Sequence, residues 1–230
     1  MIIKVCGMRS ADNIRAVEQL GVDWLGFIFW PRSSRYVAER PSYLPTKAKR
    51  VGVFVDATVD EVLSHISDYN LDAVQLHGHE SPDYIRTLRS SLAFQTDGTS
   101  QTNSGFPVVI IKAISIATSE DTDNYRNFEG LVDYFLFDTK CQTVGGSGLH
   151  FDWSMLADYD GQTPFLLSGG IGPDDAQHIS SFHHPRCIGI DLNSRFEIKP
   201  ALKDVTALQG FLSLLSSHET HEAHESHKSH

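Results

Sequence analysis

Eight short, mostly apolar runs recur along this chain, each followed by a stretch of helical pattern. They cover residues 2–6, 23–29, 51–55, 73–76, 108–113, 134–138, 164–167 and 187–192. The runs do not alternate apolar with polar residues, as a strand with one wet face would. Continuous apolar runs of this length suit parallel strands buried on both faces. Parallel neighbours need long crossovers, and the intervening segments supply them. Helices are expected from Ser10 to Leu20 with Gly21 as the stop, from the Thr58 cap to Tyr69, and from Ser81-Pro82 to Leu92. Others are expected over residues 119–128, 152–159, 173–182 and 201–215, and a weak one over 38–48, interrupted by Pro41 and Pro45. Eight such units predict an α/β chain with one closed (β/α)8 barrel domain over residues 1–217. An open doubly wound sheet is the alternative. It usually carries a glycine-rich nucleotide loop after its first strand, and none follows here.

Charge and cysteine content narrow the function classes. The formal charge is −10, and residues 218–230 contribute −2 of it through Glu219, Glu222, Glu225 and Lys228, leaving −8 on the body. An acidic body argues against a general nucleic-acid partner, which needs a basic footprint. The three cysteines are widely spaced with no Cys-x-x-Cys pair, so no disulfide framework is expected. No leader pattern opens the sequence and no apolar run approaches the ~20 residues of a membrane span. A cytoplasmic enzyme without membrane contact is the expectation. The histidines at 218, 221, 224, 227 and 230 mark a tail expected to be disordered. Loose divalent-metal binding is its functional alternative. The polar stretch 95–105 is expected to be a surface excursion.

In a (β/α)8 barrel the site lies at the C-terminal ends of the strands. The sixth run, Tyr134-Phe135-Leu136-Phe137-Asp138, ends on a carboxylate. Burial there can hold such a group protonated near neutral pH. Gly145-Gly146-Ser147-Gly148 follows, a turn whose free N–H groups suit a phosphate. Cys6 ends the first run, Gln75 and His77 the fourth, and Ser168-Gly169-Gly170 follows the seventh. Asp191 closes the eighth, followed by Asn193, Ser194 and Arg195. The glycine turns and the eighth run lie near the usual phosphate site of such barrels. Taken singly, each residue has a bland reading: Cys6 as a small core residue, Asp138 as a helix cap, Arg35 as a solvated loop cation. Lys4 shares strand parity with Cys6. It would need a carboxylate, with Asp191 the candidate in a structural pair.

In combination, the motifs resemble a known family. Lys4-Val5-Cys6-Gly7-Met8, Gly26-Phe27-Ile28-Phe29 with Ser34-Arg35-Tyr36, Val51-Gly52-Val53-Phe54 and Val74-Gln75-Leu76-His77-Gly78 stand in the order found in phosphoribosylanthranilate isomerases. So do Leu136-Phe137-Asp138-Thr139, Gly145-Gly146-Ser147-Gly148, Phe151-Asp152-Trp153 and Leu167-Ser168-Gly169-Gly170. The resemblance runs from residue 2 to about 215. It implies an aldose–ketose isomerase of tryptophan biosynthesis that performs an Amadori rearrangement of N-(5'-phosphoribosyl)anthranilate. By position it implies Cys6 as general base, Asp138 as general acid and Arg35 on the anthranilate carboxylate. Gln75 and His77 are assigned to substrate binding. Gly146, Ser147, Gly148, Gly169, Gly170, Asn193 and Ser194 are assigned to the phosphate. The family commonly has Ser-Gly after the eighth strand, whereas this chain has Ser194-Arg195. Arg195 either adds a cation for the phosphate or points away.

The chemistry suits these residue types. A carboxyl kept neutral can protonate the furanose oxygen. The resulting iminium acidifies the neighbouring C2 hydrogen, which a thiolate can remove if nearby positive charge lowers the thiol pKa. Neither metal nor redox cofactor is called for, and the expected partner is a small phosphosugar on a monomer or homodimer. A histidine-pathway isomerase of the same fold would use two carboxylates. A non-catalytic phosphosugar-binding or metal-storage protein would make the tail its working part.

Overall fold

The computed structural model describes residues 1–95, 107–116, 119–139 and 153–226. Eight parallel strands close in sequence order. They are β1 (Ile2–Val5), β2 (Trp24–Ile28), β3 (Lys49–Phe54), β4 (Ala73–Leu76), β5 (Val109–Ile116), β6 (Tyr134–Thr139), β7 (Phe165–Ser168) and β8 (Cys187–Leu192). The seam forms where β1 pairs with β8, with Lys4 beside Asp191. Outside the ring, among the described residues, lie α1 (Ala11–Glu18), α2 (Val59–Tyr69), α3 (Pro82–Gln95), α4 (Ala176–Ser181) and α5 (Val205–Ser226). None of these helices is long and apolar enough to cross a membrane.

The strands read as continuously apolar because their two faces fill two separate cores. Trp24, Val51, Ala73, Ile111, Leu136 and Leu166 fill the inside of the barrel. Leu25, Val74, Ile110, Phe135 and Leu167 point outward, against helix residues such as Ile14, Val62, Ile85 and Leu208. Burying one such side chain contributes about 1.5–3 kcal/mol. Side chains alternate faces along a strand. The residues two past the inner core, among them Gly26, Val53, Gln75, Asp138 and Ser168, therefore form the layer above it. That layer is where the apolar code breaks.

Several helical expectations are corrected. Residues 38–48 form no helix. Pro41 and Pro45 lack donors for one, and the Glu18 carboxylate instead takes the N–H groups of Thr46, Lys47 and Ala48 at 2.7, 2.6 and 3.1 Å. The Arg50 guanidinium donates to the Pro45 carbonyl at 2.7 Å, so the same peptide group is held from both sides. Ser119–Asn127 and Trp153–Leu156 wind as tight 3-10 turns rather than α-helix, and Pro173–Asp175 is a 3-10 turn leading into α4. The last helix starts at Val205, after a small antiparallel hairpin of β9 (Glu197–Lys199) and β10 (Leu202–Lys203). It continues to Ser226, beyond the expected end at Leu215 and into the segment expected to be a disordered tail. No Gly or Pro interrupts residues 211–226, so nothing local stops propagation. Most of the 95–105 excursion lies outside the described residues.

Candidate active site

A cavity of about 160 Å3 opens at the C-terminal ends of the strands. Cys6, Gln75, His77, Asp138, Gly169, Gly170, Asn193 and Ser194 all line it, so most of the residues picked from the sequence converge. Gly146, Ser147 and Gly148 lie outside the described residues. Arg35 is not among the lining residues; it lies across Gly7 from Asn193, which is. A larger, mainly apolar cavity of about 410 Å3 lies towards the start of β1 and β8, between Met1, Ile179, Phe182 and Cys187. It lacks the convergent acid and base of the smaller one.

Cys6 follows β1 directly, and its backbone N–H donates to the Leu192 carbonyl at 2.9 Å. The thiol leans on Gly26 of β2: a Cβ there would stand 2.7 Å from Sγ, so only glycine leaves this room. Below it, Lys4 Nζ donates to Asp191 Oδ1 at 2.8 Å, with Lys4 fully buried and Asp191 nearly so. The pair expected from strand parity is present. Burial works to lower the Lys4 pKa, but Asp191 and Cys6 together raise it, so the ammonium stays charged. Burial also pushes the Cys6 thiol up. Lys4 pulls it back, Asp191 pushes it further up, Lys203 pulls it down, and the net direction is upward. The cations expected near the thiol are there, yet desolvation outweighs them.

Asp138 stands at the end of β6, three strands from β1 around the ring. Its side chain is 26% exposed rather than buried as expected. β6 reaches far enough for the carboxylate to clear the inner core and meet the cavity. His77 Nε2 lies 3.3 Å from Asp138 Oδ2, and Gln75 Nε2 lies 2.8 Å from His77 Nδ1. The amide nitrogen can only donate, so Nδ1 accepts and Nε2 carries the proton facing Asp138. With the amide so placed, His77 faces the carboxylate through its donor nitrogen. Gln75 is buried, and its Oε1 has no partner among the described residues.

Arg35 is engaged within the chain. Its Nε donates to Glu197 Oε1 at 2.9 Å and its Nη2 to Glu197 Oε2 at 2.6 Å. Among the described residues its Nη1 has no acceptor. Glu197 also receives Lys203 Nζ at 2.7 Å. Lys203 Nζ reaches Asn193 Oδ1 at 2.8 Å, which engages that side-chain carbonyl within the chain. Asn13 of α1 holds Lys203 by both backbone groups, its Nδ2 donating to the carbonyl and its Oδ1 accepting the N–H. The bare Cα of Gly7 lets Arg35 and Asn193 meet: a Cβ there would lie 2.8 Å from each. Glu197 and Lys203 were missed from sequence. Lys203 sat inside the expected 201–215 helix, and the signal that could have found it is the lone lysine between Leu202 and Asp204.

Among the described residues no group of three or more His, Cys, Asp or Glu side chains is placed to hold a metal ion. The site offers a thiol on one wall, a carboxyl on another, bare glycine backbone between β7 and β8, and a guanidinium next to Asn193. Proton transfer on a small phosphorylated carbohydrate is the chemistry this set can perform.

Known proteins give the same direction. The family model described as N-(5'-phosphoribosyl)anthranilate (PRA) isomerase matches residues 3–213. A relative from Parabacteroides distasonis named N-(5'-phosphoribosyl)anthranilate isomerase is 50% identical over 218 residues, 92% of each chain. One of the same name from Phocaeicola vulgatus is 46% identical, covering 94% of this chain and 98% of its own. The crystal structure of phosphoribosyl anthranilate isomerase from Thermotoga maritima superposes with a TM-score of 0.74 at 29% identity, over 94% of this chain and all of that one. Another structure of such an isomerase, in complex with reduced 1-(o-carboxyphenylamino)-1-deoxyribulose 5-phosphate, gives the same TM-score at 26% identity. The chain belongs to the N-(5'-phosphoribosyl)anthranilate isomerase family.

Proposed function

We propose that this chain isomerises N-(5'-phosphoribosyl)anthranilate to 1-(2-carboxyphenylamino)-1-deoxyribulose 5-phosphate, a step of tryptophan biosynthesis, with Asp138 as general acid and Cys6 as general base. The observation that carries the reading is a thiol and a carboxyl on separate walls of one small cavity. Asp138 protonates the furanose oxygen, the C1–O bond breaks, and the nitrogen lone pair forms an iminium at C1. Cys6 then removes the C2 proton, and those electrons form the C1–C2 double bond while neutralising the nitrogen. The resulting enol gives up its hydroxyl proton as C1 takes one, leaving the C2 ketone. Atoms and charge balance with no outside oxidant.

Three further features support it. Arg35 has no acceptor for Nη1 among the described residues while Glu197 fixes its plane, as a guanidinium needs if it is to receive a carboxylate in one orientation. The unpartnered Gln75 Oε1 suits a sugar hydroxyl. Gly169 and Gly170, both at positive φ, suit backbone contact with the phosphate. A two-carboxylate mechanism would need Asp191 as the second acid–base group, but Lys4 holds it at 2.8 Å. Incubating the purified chain with N-(5'-phosphoribosyl)anthranilate should quench anthranilate fluorescence while product mass stays unchanged. No turnover at micromolar enzyme would overturn the proposal.

A further inference from the structure

Arg195 replaces the glycine common in this family, and its surroundings give it a role. Gly172 has no Cβ, and the Arg195 guanidinium fills that place: an added Cβ would stand 2.7 Å from Nε and 3.0 Å from Cζ and Nη2. Gly172 has extended backbone that any residue adopts, so the space for Arg195 is what sets glycine apart there. Two residues earlier Gly170 is at φ +71, and a Cβ on it would meet nothing within 4 Å. The cavity wall therefore has bare, open backbone on β7's loop, with Ser194 lining the same cavity. Arg195 is not itself a lining residue of that cavity; its side chain, on an exposed residue, lies beside Gly172, two residues along from Gly170. Among the described residues no ion-pair partner is found for Arg195.

We propose that Arg195 is a side-chain ligand of the substrate's phosphate monoester, seated by Gly172 and supplementing the backbone N–H groups of Gly170 and Ser194. This rests on the phosphosugar reading above. A guanidinium matches the geometry of phosphate oxygens and remains charged at any working pH. The phosphate is remote from C1 and C2, so its loss should appear as lost uniform binding.

Arg195→Gln should raise KM for N-(5'-phosphoribosyl)anthranilate roughly tenfold, the low end for one charged hydrogen bond at an exposed site, with kcat within about twofold. Inorganic phosphate, titrated calorimetrically and used as a competitive inhibitor, should weaken by the same factor. Gly172→Ala should weaken phosphate in the wild-type background and leave it unchanged in Arg195→Gln. Lys199→Gln, which removes an exposed cation on the β9–β10 hairpin that follows Arg195, should change neither constant. Unchanged KM and phosphate affinity in Arg195→Gln would overturn the proposal. So would an equal loss in Lys199→Gln, which would indicate a diffuse field. If the wild type fails to turn over the anthranilate substrate but binds phosphate through Arg195, the anion site stands and the assigned reaction falls.

Discussion

The β1/β8 wall and the β4/β6 wall of the cavity carry the proposed base and acid, and water reaches them differently. On the first, Cys6, Lys4 and Asp191 are all buried and the ion pair is sealed beneath the thiol. On the second, His77 and Asp138 keep 31% and 26% of their side chains exposed. A charge on the first wall is costly unless paired, so its chemistry depends on Lys4. A proton on the second wall can be replaced from solvent between turnovers. The difference suggests that the two roles are assigned by dielectric surroundings as much as by residue type.

The largest effect should come from the open wall. Asp138→Asn keeps size but cannot release a proton, and kcat should fall roughly 10²–10⁴-fold with KM near wild type. Its residual turnover has only the base left to titrate. Burial raises the Cys6 pKa, so the thiolate fraction grows with pH and is small below the folded-state value. The residual kcat/KM should therefore climb through pH 8 and beyond the ordinary thiol range near about 8.5. A flat profile across that range would break the contrast between the walls.

Lys4→Met probes the sealed wall. It leaves Asp191 buried and unpaired, which typically costs about 3–5 kcal/mol. Thermal or urea denaturation should show that loss, and the Cys6 thiol should be pushed further up, leaving less thiolate to act as base. Replacing both partners, Lys4→Met with Asp191→Leu, should recover most of the stability but not the activity. Stability unchanged in the single variant would mean the pair is not sealed.

His77→Asn should give the smallest effect of the series. It removes a single donor to Asp138 at a partly exposed site, so kcat should drop about tenfold, with stability within the ±0.5 kcal/mol usual for such positions. A loss as large as that of Asp138→Asn would make His77 the acid itself.

The barrel was legible because both strand faces are buried, and apolar runs with turn residues between them encode that directly. Cys6, Asp138 and the Lys4–Asp191 pair followed from strand ends and parity. The 38–48 connection was misread because the anion that organises it, Glu18, sits on α1, where a lone carboxylate looks solvated. The Arg35–Glu197 pair spans 162 residues, and only the closed ring brings the two together. The hairpin carrying Lys203 was hidden because its apolar residues continue the helical period of α5. The tautomer of His77 depends on which atom of Gln75 faces it, which spacing alone does not encode.

The account rests most on Cys6 as the base that takes the C2 proton. Steady-state turnover of N-(5'-phosphoribosyl)anthranilate by Cys6→Ser, followed by anthranilate fluorescence against wild type at equal concentration, tests that directly. Serine keeps the shape beside Gly26 but ionises far above any working pH. The account predicts a kcat lower by roughly 10²–10⁴-fold with KM little changed. Cys6→Ser turning over at close to the wild-type rate would contradict it.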